Sequence, residues 1–285
     1  MSSPDACSSL ALRPLAAADL DAAHQLSLAL AWPHRREDWA QLLRAGEGLA
    51  LVDGERLIGT AFCLSQGRCA SVGLVIVADD HQGRGLGRRL MQEALVLAGT
   101  RTALLVATEA GAPLYRKLGF ERVGDVHQHQ GEALPQAGAA LGTNGLRRLD
   151  EADRGALEEL AAAGSGHGRV PVLGVALDAA NAAVGIERDG RLVAFALRRP
   201  FGRGESIGPI YAESQDQAER LVDALLEDAA GRFMRLDAID DAFDPDWLAA
   251  RGLERVDSPI RMVRGEAPSP RGATRQFGMI TQAMG

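Results

Sequence analysis

Apolar positions follow two rhythms along the first half of the chain. Ala16 to Leu30 repeats them at helical spacing, and Asp38 to Leu43 does so again. Gly48 to Val52 and Leu57 to Leu64 read as strands around Asp53-Gly54, a strong hairpin signal. Ser71 to Val77 (SVGLVIV) is apolar almost throughout and rich in β-branched residues, the pattern of a strand covered on both faces. Gly87 to Ala98 returns to helical spacing, and Thr102 to Thr108 (TALLVAT) is a second buried strand. Pro113 to Leu118 predicts a helix that stops at Gly119, where a glycine after the last turn is expected. Phe120 to Val123 and Val126 to Gln130 predict closing strands. The result is an α/β domain (α+β type), a mixed central sheet flanked by helices.

The pattern then repeats. Leu12-Arg13-Pro14-Leu15 resembles Leu146-Arg147-Arg148-Leu149, and Arg56-Leu57-Ile58 matches Arg191-Leu192-Val193. Val72-Gly73 matches Ile207-Gly208, and Leu114 to Phe120 resembles Trp247 to Leu253. Four segments in order, offset by 133–135 residues, argue for a duplication. The expected organisation is two tandem domains at 8–140 and 144–265, and a tail at 266–285. The join, Gln136 to Gly145, is small and Gly-rich as linkers are. Phe277 to Thr281 reads as a last strand, apolar enough to pack across the domain interface.

Composition narrows the function. With 31 basic against 38 acidic residues and 4% aromatics, the chain lacks the basic face and stacking surfaces of a nucleic-acid binder. No apolar run reaches the ~18–20 residues of a membrane span, and the first residues do not read as a signal peptide. Three cysteines without a CxxC pattern fit a reducing cytoplasm. No partner among nucleic acids or membranes is expected.

The candidate chemistry lies where the first buried strand runs into Ala78-Asp79-Asp80-His81-Gln82-Gly83-Arg84-Gly85-Leu86-Gly87-Arg88-Arg89. A Gly-rich turn that opens a helix aims backbone N–H groups at one point, and the helix dipole adds positive charge there. A diphosphate is the natural guest. The dinucleotide fingerprint fails, because its third glycine would fall on Arg88 or Leu90, and GxxxxGK[ST] is absent. What stands here is Q-x-x-G-x-G (Gln82, Gly85, Gly87), with Leu-Tyr-x-x-Leu-Gly-Phe about thirty residues on.

With both motifs in register, the first copy resembles the GCN5-related N-acetyltransferase (GNAT) superfamily nearly end to end. The Trp32/Trp39 segment, ATEAGAPLYRKLGF and the degenerate second copy are similar to tandem-GNAT proteins of the YitH type. The resemblance implies that acetyl-CoA lies between the two buried strands, splayed apart by a bulge in the first. The main chain of Val75, Ile76 and Val77 would hold the pantetheine and polarise the thioester. Gln82, Gly83, Arg84, Gly85, Leu86, Gly87 and Arg88 would hold the pyrophosphate. Tyr115 falls at the motif tyrosine that protonates the leaving thiolate. Val106 and Glu109 stand where related sequences carry Asp and Pro, so no acid–base group carries over there.

Other roles stay open. Ser71 is a second catalytic candidate, as proton relay or acyl carrier. Asp79, Asp80, Glu109, His127 and His129 are further candidate bases, and a water relay serves equally. His127 and His129 share a strand face without a third ligand in view, so no metal is expected. Cys63 and Cys69 lack a partnering His motif for an acyl-enzyme. Trp32 and Trp39 either shape the acceptor pocket or pack the core. In the second copy the loop glycines become Ala218, Arg220 and Val222, and Tyr115 becomes Leu248. That copy is expected to be structural, or to form part of the acceptor site as a built-in pseudo-dimer partner; a homodimer is the alternative assembly. The expected activity is transfer of acetyl to a small-molecule or amino-acid-like amine. The alternatives are an acyl-CoA sensor and a peptide or protein acetyltransferase.

Overall fold

The structure is a computed structural model that describes residues 10–134 and 141–285. Half of the 136–145 join, residues 136–140, therefore lies outside the described residues. The first copy comprises β1 (Leu10–Pro14), α1 (Leu20–Ala29), α2 (Arg36–Ala45), β2 (Glu47–Asp53), β3 (Arg56–Gln66), β4 (Cys69–Val77), α3 (Leu86–Ala98), β5 (Thr102–Ala107), α4 (Ala112–Lys117) and β6 (Glu121–Glu132). The second repeats this order with β7 (Leu146–Arg148), α5 (Arg154–Ser165), α6 (Val170–Asp178), β8 (Ala182–Arg188), β9 (Arg191–Phe201), β10 (Gly204–Ala212), α7 (Gln215–Leu226), β11 (Phe233–Ile239), α8 (Pro245–Ala249), β12 (Glu254–Asp257) and β13 (Ile260–Arg264). A last strand, β14 (Arg275–Gly278), follows. The first helix is shorter than predicted because residues 17–19 form a separate 3₁₀ turn. Gly119 takes φ +84 just past α4, the left-handed conformation expected of it.

The strands form one sheet in the order β1-β2-β3-β4-β5-β13-β6-β11-β14-β10-β9-β8-β7, with β12 paired to β6. This order corrects the assignment of the closing strands. The two predicted segments at 120–123 and 126–130 are one strand, β6, and its halves serve different copies. Glu121 to Asp125 pairs with β13, whereas Val126 to Glu132 pairs with β11. In return β13, from the second copy, fills the place between β5 and β6. Each copy thus lends the strand that its partner needs beside its own β5 or β11. Local pattern could not reveal this, because an apolar strand reads the same whichever sheet it joins.

The interface repeats the exchange around a pseudo-twofold axis, as isologous contacts do. The β3–β4 turn meets the α5–α6 connection, where Arg68 Nε donates to the Gly166 carbonyl at 3.2 Å. The β9–β10 turn meets the α1–α2 connection, where Arg35 Nη2 donates to the Pro200 carbonyl at 3.0 Å. Apolar residues of both copies, among them Leu42, Phe62, Leu173, Phe195 and Met284, make one buried cluster there. Residues after β14 contribute Ile280, Ala283 and Met284 to it, so the tail does reach the interface, although its strand covers 275–278 rather than 277–281.

Candidate active site

Both copies build a V from two parallel strands, by the same device. In the first, β4 and β5 pair only through Cys69–Ser71 and Thr102–Leu104. Beyond that the register of β4 against β3 slips by one residue, between the pairs Gly73–Phe62 and Ile76–Thr60. Such a bulge bends the strand away from its neighbour. Leu74 takes the extra position at φ +46, and the buried Thr60 hydroxyl donates to its carbonyl at 2.8 Å. In the second copy the slip falls between Ile207 and Ile210 of β10, and β10 pairs with β11 only through Glu205–Ile207.

What fills the V differs. The second is closed by the chain itself. Strand β14 pairs with β10 through Ile210–Ala212 and touches β11 at Ala238. The Met279 amide then donates to the Asp237 carbonyl at 2.9 Å. Only two residues separate β10 from α7, so no loop exists there, and Ala218 and Val222 are buried inside the helix. Leu248 is buried on α8. The first V is open. It forms a cleft of about 680 Å³ between β4, β5, α4 and the eight-residue connection from Val77 to α3.

That connection has the geometry of an anion site. Gly83 and Gly85 take φ +75 and +76, and a Cβ on either would point into open space. Among the described residues no acceptor takes the N–H groups of Gly83 to Arg88. These include the first turn of the 13-residue α3, where orphan N–H groups and the positive dipole end coincide. Gln82 Nε2 ties the loop back, donating to Asp79 Oδ1 at 2.8 Å and to the Val77 carbonyl at 3.2 Å. Asp80 pairs with Arg56 and His81, which hold its carboxyl down at about 2. Asp79 and Asp80 are therefore loop-forming groups.

Of the sequence candidates, Val75, Ile76, Val77, Gln82, Gly83, Gly85, Leu86, Gly87, Arg88, Tyr115 and Trp32 line this cleft. Arg84 does not. Ile76 and Leu86 send their side chains into the core, leaving the main chain to act. Trp39 is fully buried, stacked edge-on against Phe62, with its indole N–H on Ser27 Oγ at 3.2 Å. It is a core residue, and the pocket reading of Trp39 is corrected. Its spacing from Leu42 on α2 carried that signal.

Tyr115 packs edge-on against Phe120, and burial pushes its phenol up to about 12. It therefore keeps its proton across all ordinary pH. A Cβ on Gly111 would meet its ring at 3.0 Å, so that glycine makes room for it.

Ser71 lies elsewhere. Its hydroxyl receives Gln66 Nε2 at 2.7 Å and lines a second cavity, of about 420 Å³, between the copies. This cavity and the cleft share Leu105 and Val106 as a common wall. The second copy supplies Ser165, His167, Arg169, Asp240 and Arg261 to it, and β14 supplies Gln276. Of these the sequence singles out Asp240 alone, within the acidic run Asp237, Asp240, Asp241, Asp244 and Asp246 that could receive a cationic substrate or simply be a solvated turn. The repeat held a clue, since position 167 is offset by 135 from Trp32.

Glu109 is exposed and is not among the residues lining the cleft, and the two candidate histidines are otherwise engaged. His127 Nδ1 lies 3.1 Å from Ser258 Oγ, and His129 Nδ1 lies 3.2 Å from the Leu253 carbonyl. Cys63 and Cys69 are buried, and burial raises both thiols, Cys63 to about 11. That disfavours the thiolate an acyl-enzyme needs.

Two buried histidines carry a pH consequence. His34 and His167 are each lowered to about 4, chiefly by burial. Unfolded, they take protons near 6.5, so the unfolded state binds more protons between pH 6.5 and 4. Their stabilisation is complete above pH 6.5 and is lost as pH falls toward 4. Charging each in place costs on the order of 3 kcal/mol. The melting temperature is expected to fall steadily from pH 7 to 4.5; a flat profile in a pH series would contradict this.

An open V beside a glycine loop, in a fold built twice with exchanged strands, is that of an acetyltransferase, and the comparisons agree. The acetyltransferase (GNAT) domain family matches residues 45–122 and again residues 157–278. The N-acetyltransferase YitH of Bacillus subtilis (strain 168), itself uncharacterized, is 30% identical over 261 residues, covering 89% of this chain and 91% of that protein. The chain belongs to the GNAT N-acetyltransferases, as a tandem member. Two solved structures share the fold. A Pyrococcus horikoshii protein, provisionally described as an acetyltransferase, superposes with TM-score 0.78 at 18% identity, over 100% of this chain and 99% of that one. A tandem GNAT protein from the clavulanic acid biosynthesis pathway does so with TM-score 0.62 at 20% identity, over 93% and 100%. Among the described residues no helix is long and apolar enough to cross a membrane.

Proposed function

We propose that the first copy is the working acetyltransferase and that the second completes its acceptor site. The observation that carries this is the contrast between the two Vs: one open with a glycine loop, one filled by β14. Acetyl-CoA would place its pyrophosphate on the N–H groups of Gly83 to Arg88, with Arg88 adding charge. Its pantetheine would run along Val75–Val77. A small amine would approach from the interdomain cavity, across the wall shared at Leu105 and Val106. The amine attacks the thioester directly, main-chain N–H groups near the bulge steady the oxyanion, and Tyr115 protonates the leaving sulfur. Oxyanion donors of this kind are worth about 3–4 kcal/mol. Ser71, bonded to Gln66 and facing the acceptor cavity, positions rather than carries the acetyl group.

Calorimetry tests this. One acetyl-CoA is expected per chain. Gly85→Glu should weaken it at least 100-fold. The new side chain costs roughly 1–2 kcal/mol in left-handed backbone and sets a carboxylate against the pyrophosphate. Two sites per chain, or full affinity in Gly85→Glu, would sink the assignment.

A further inference from the structure

Three residues that line the interdomain cavity each hold a buried side-chain nitrogen without a hydrogen-bond partner: His167 Nε2, Arg169 Nε and Arg261 Nε. An unmet buried polar group is costly, and three in the lining of one cavity favour a guest that meets them. Their chemistry is unequal. His167, 7% exposed, has Nδ1 3.0 Å from the Ser165 carbonyl. Nδ1 must therefore carry the hydrogen, and Nε2 offers a lone pair. The two guanidinium nitrogens are donors. Charge points the same way. The lining side chains include three arginines, Arg169, Arg261 and Arg275, and a single carboxylate, Asp240. That carboxylate is already used, by Arg261 Nη2 at 2.9 Å and the Asp125 amide at 2.7 Å. A purely cationic guest would find no unengaged side-chain carboxylate in this lining, in a chain whose net charge is −7.

We propose that this cavity takes an amine that also carries a carboxylate, the amine N–H received by His167 Nε2 and the carboxylate by Arg261. The inference rests on the reading of the first copy as the acetyl-CoA site. In the transfer, the amine nitrogen bonds to the thioester carbonyl carbon and the C–S bond breaks with its electron pair on sulfur. One N–H proton passes to His167 Nε2, and the phenol proton of Tyr115 passes to the thiolate. Both side chains then re-equilibrate with water. Arg169 contributes charge, although its Nη2 is held by the Gly285 main-chain oxygen.

The test is a matched panel, the twenty amino acids against their carboxamides, with full-length protein, acetyl-CoA and released thiol as readout. At least one free amino acid is expected to exceed its carboxamide tenfold or more in kcat/KM. Arg261→Gln should raise its KM tenfold with kcat little changed. His167→Phe should lower kcat, and His167→Gln, which keeps an acceptor, should retain more of it. If nothing turns over, melting-temperature shifts with CoA and the same pairs decide, a larger shift for the acids supporting the proposal. Equal or better use of carboxamides, or equal or absent shifts, overturns it while acetyl-CoA binding stays intact. Failure of wild-type protein to bind acetyl-CoA overturns instead the reading beneath it.

Discussion

Residues 1–134 produced alone should fail to give a folded acetyl-CoA-binding domain, although they contain the whole glycine loop and Tyr115. Without β13 the first copy's β5 loses a full antiparallel neighbour, Ile260–Arg264 against Ala103–Ala107. Met262, buried in the first copy's core, leaves a void beside Leu105 and Phe120. The second half of β6 loses β11, leaving Val126 to Glu132 as an unpaired edge. Removing one core Met typically costs about 2–5 kcal/mol, against a total stability of about 5–15 kcal/mol, and here a whole strand goes. Co-expression with residues 141–285 should restore a soluble complex that binds one acetyl-CoA. The check is a melt and a titration of each preparation. A cooperative melt with acetyl-CoA binding by 1–134 alone would show that the exchange is dispensable.

That result bears on what could be read from residues. The glycine loop was legible because Gly83 and Gly85 are needed for their backbone, and the signal survives without coordinates. So was Gly119. The bulge was expected in β4, yet its residue could not be named, because a leucine at φ +46 announces nothing; the constraint sits across the sheet in Thr60. The strand exchange was hidden because pairing partners are chosen by tertiary geometry. Ala218, Arg220 and Val222 already announced that the second copy lacks a glycine turn; they could not announce β14, which occupies the space between β10 and β11. His167 was missed because a lone histidine between two helices looks ordinary until the other copy folds over it.

Tyr115→Phe is expected to cut kcat by roughly 10²–10⁴-fold, the range for losing a positioned acid, with acetyl-CoA affinity nearly unchanged. The ring lines the cleft with Gly111 against it, and among the described residues no hydrogen bond ties the phenol to the loop that would carry the phosphates. Phenylalanine keeps the ring and its contact with Phe120, so packing is retained. Only the proton is removed. The direction of the pKa matters. Burial raises the phenol to about 12, so the acid form is present throughout the working range and tyrosine ionisation should impose no alkaline limb below about pH 11. A wild-type alkaline fall with a midpoint well below that, absent in Tyr115→Phe, would mean the phenolate is easier to form than its surroundings imply. Unchanged turnover in the variant would remove Tyr115 from the mechanism. The sulfur would then leave as a thiolate protonated by water, which the cleft's open mouth could supply.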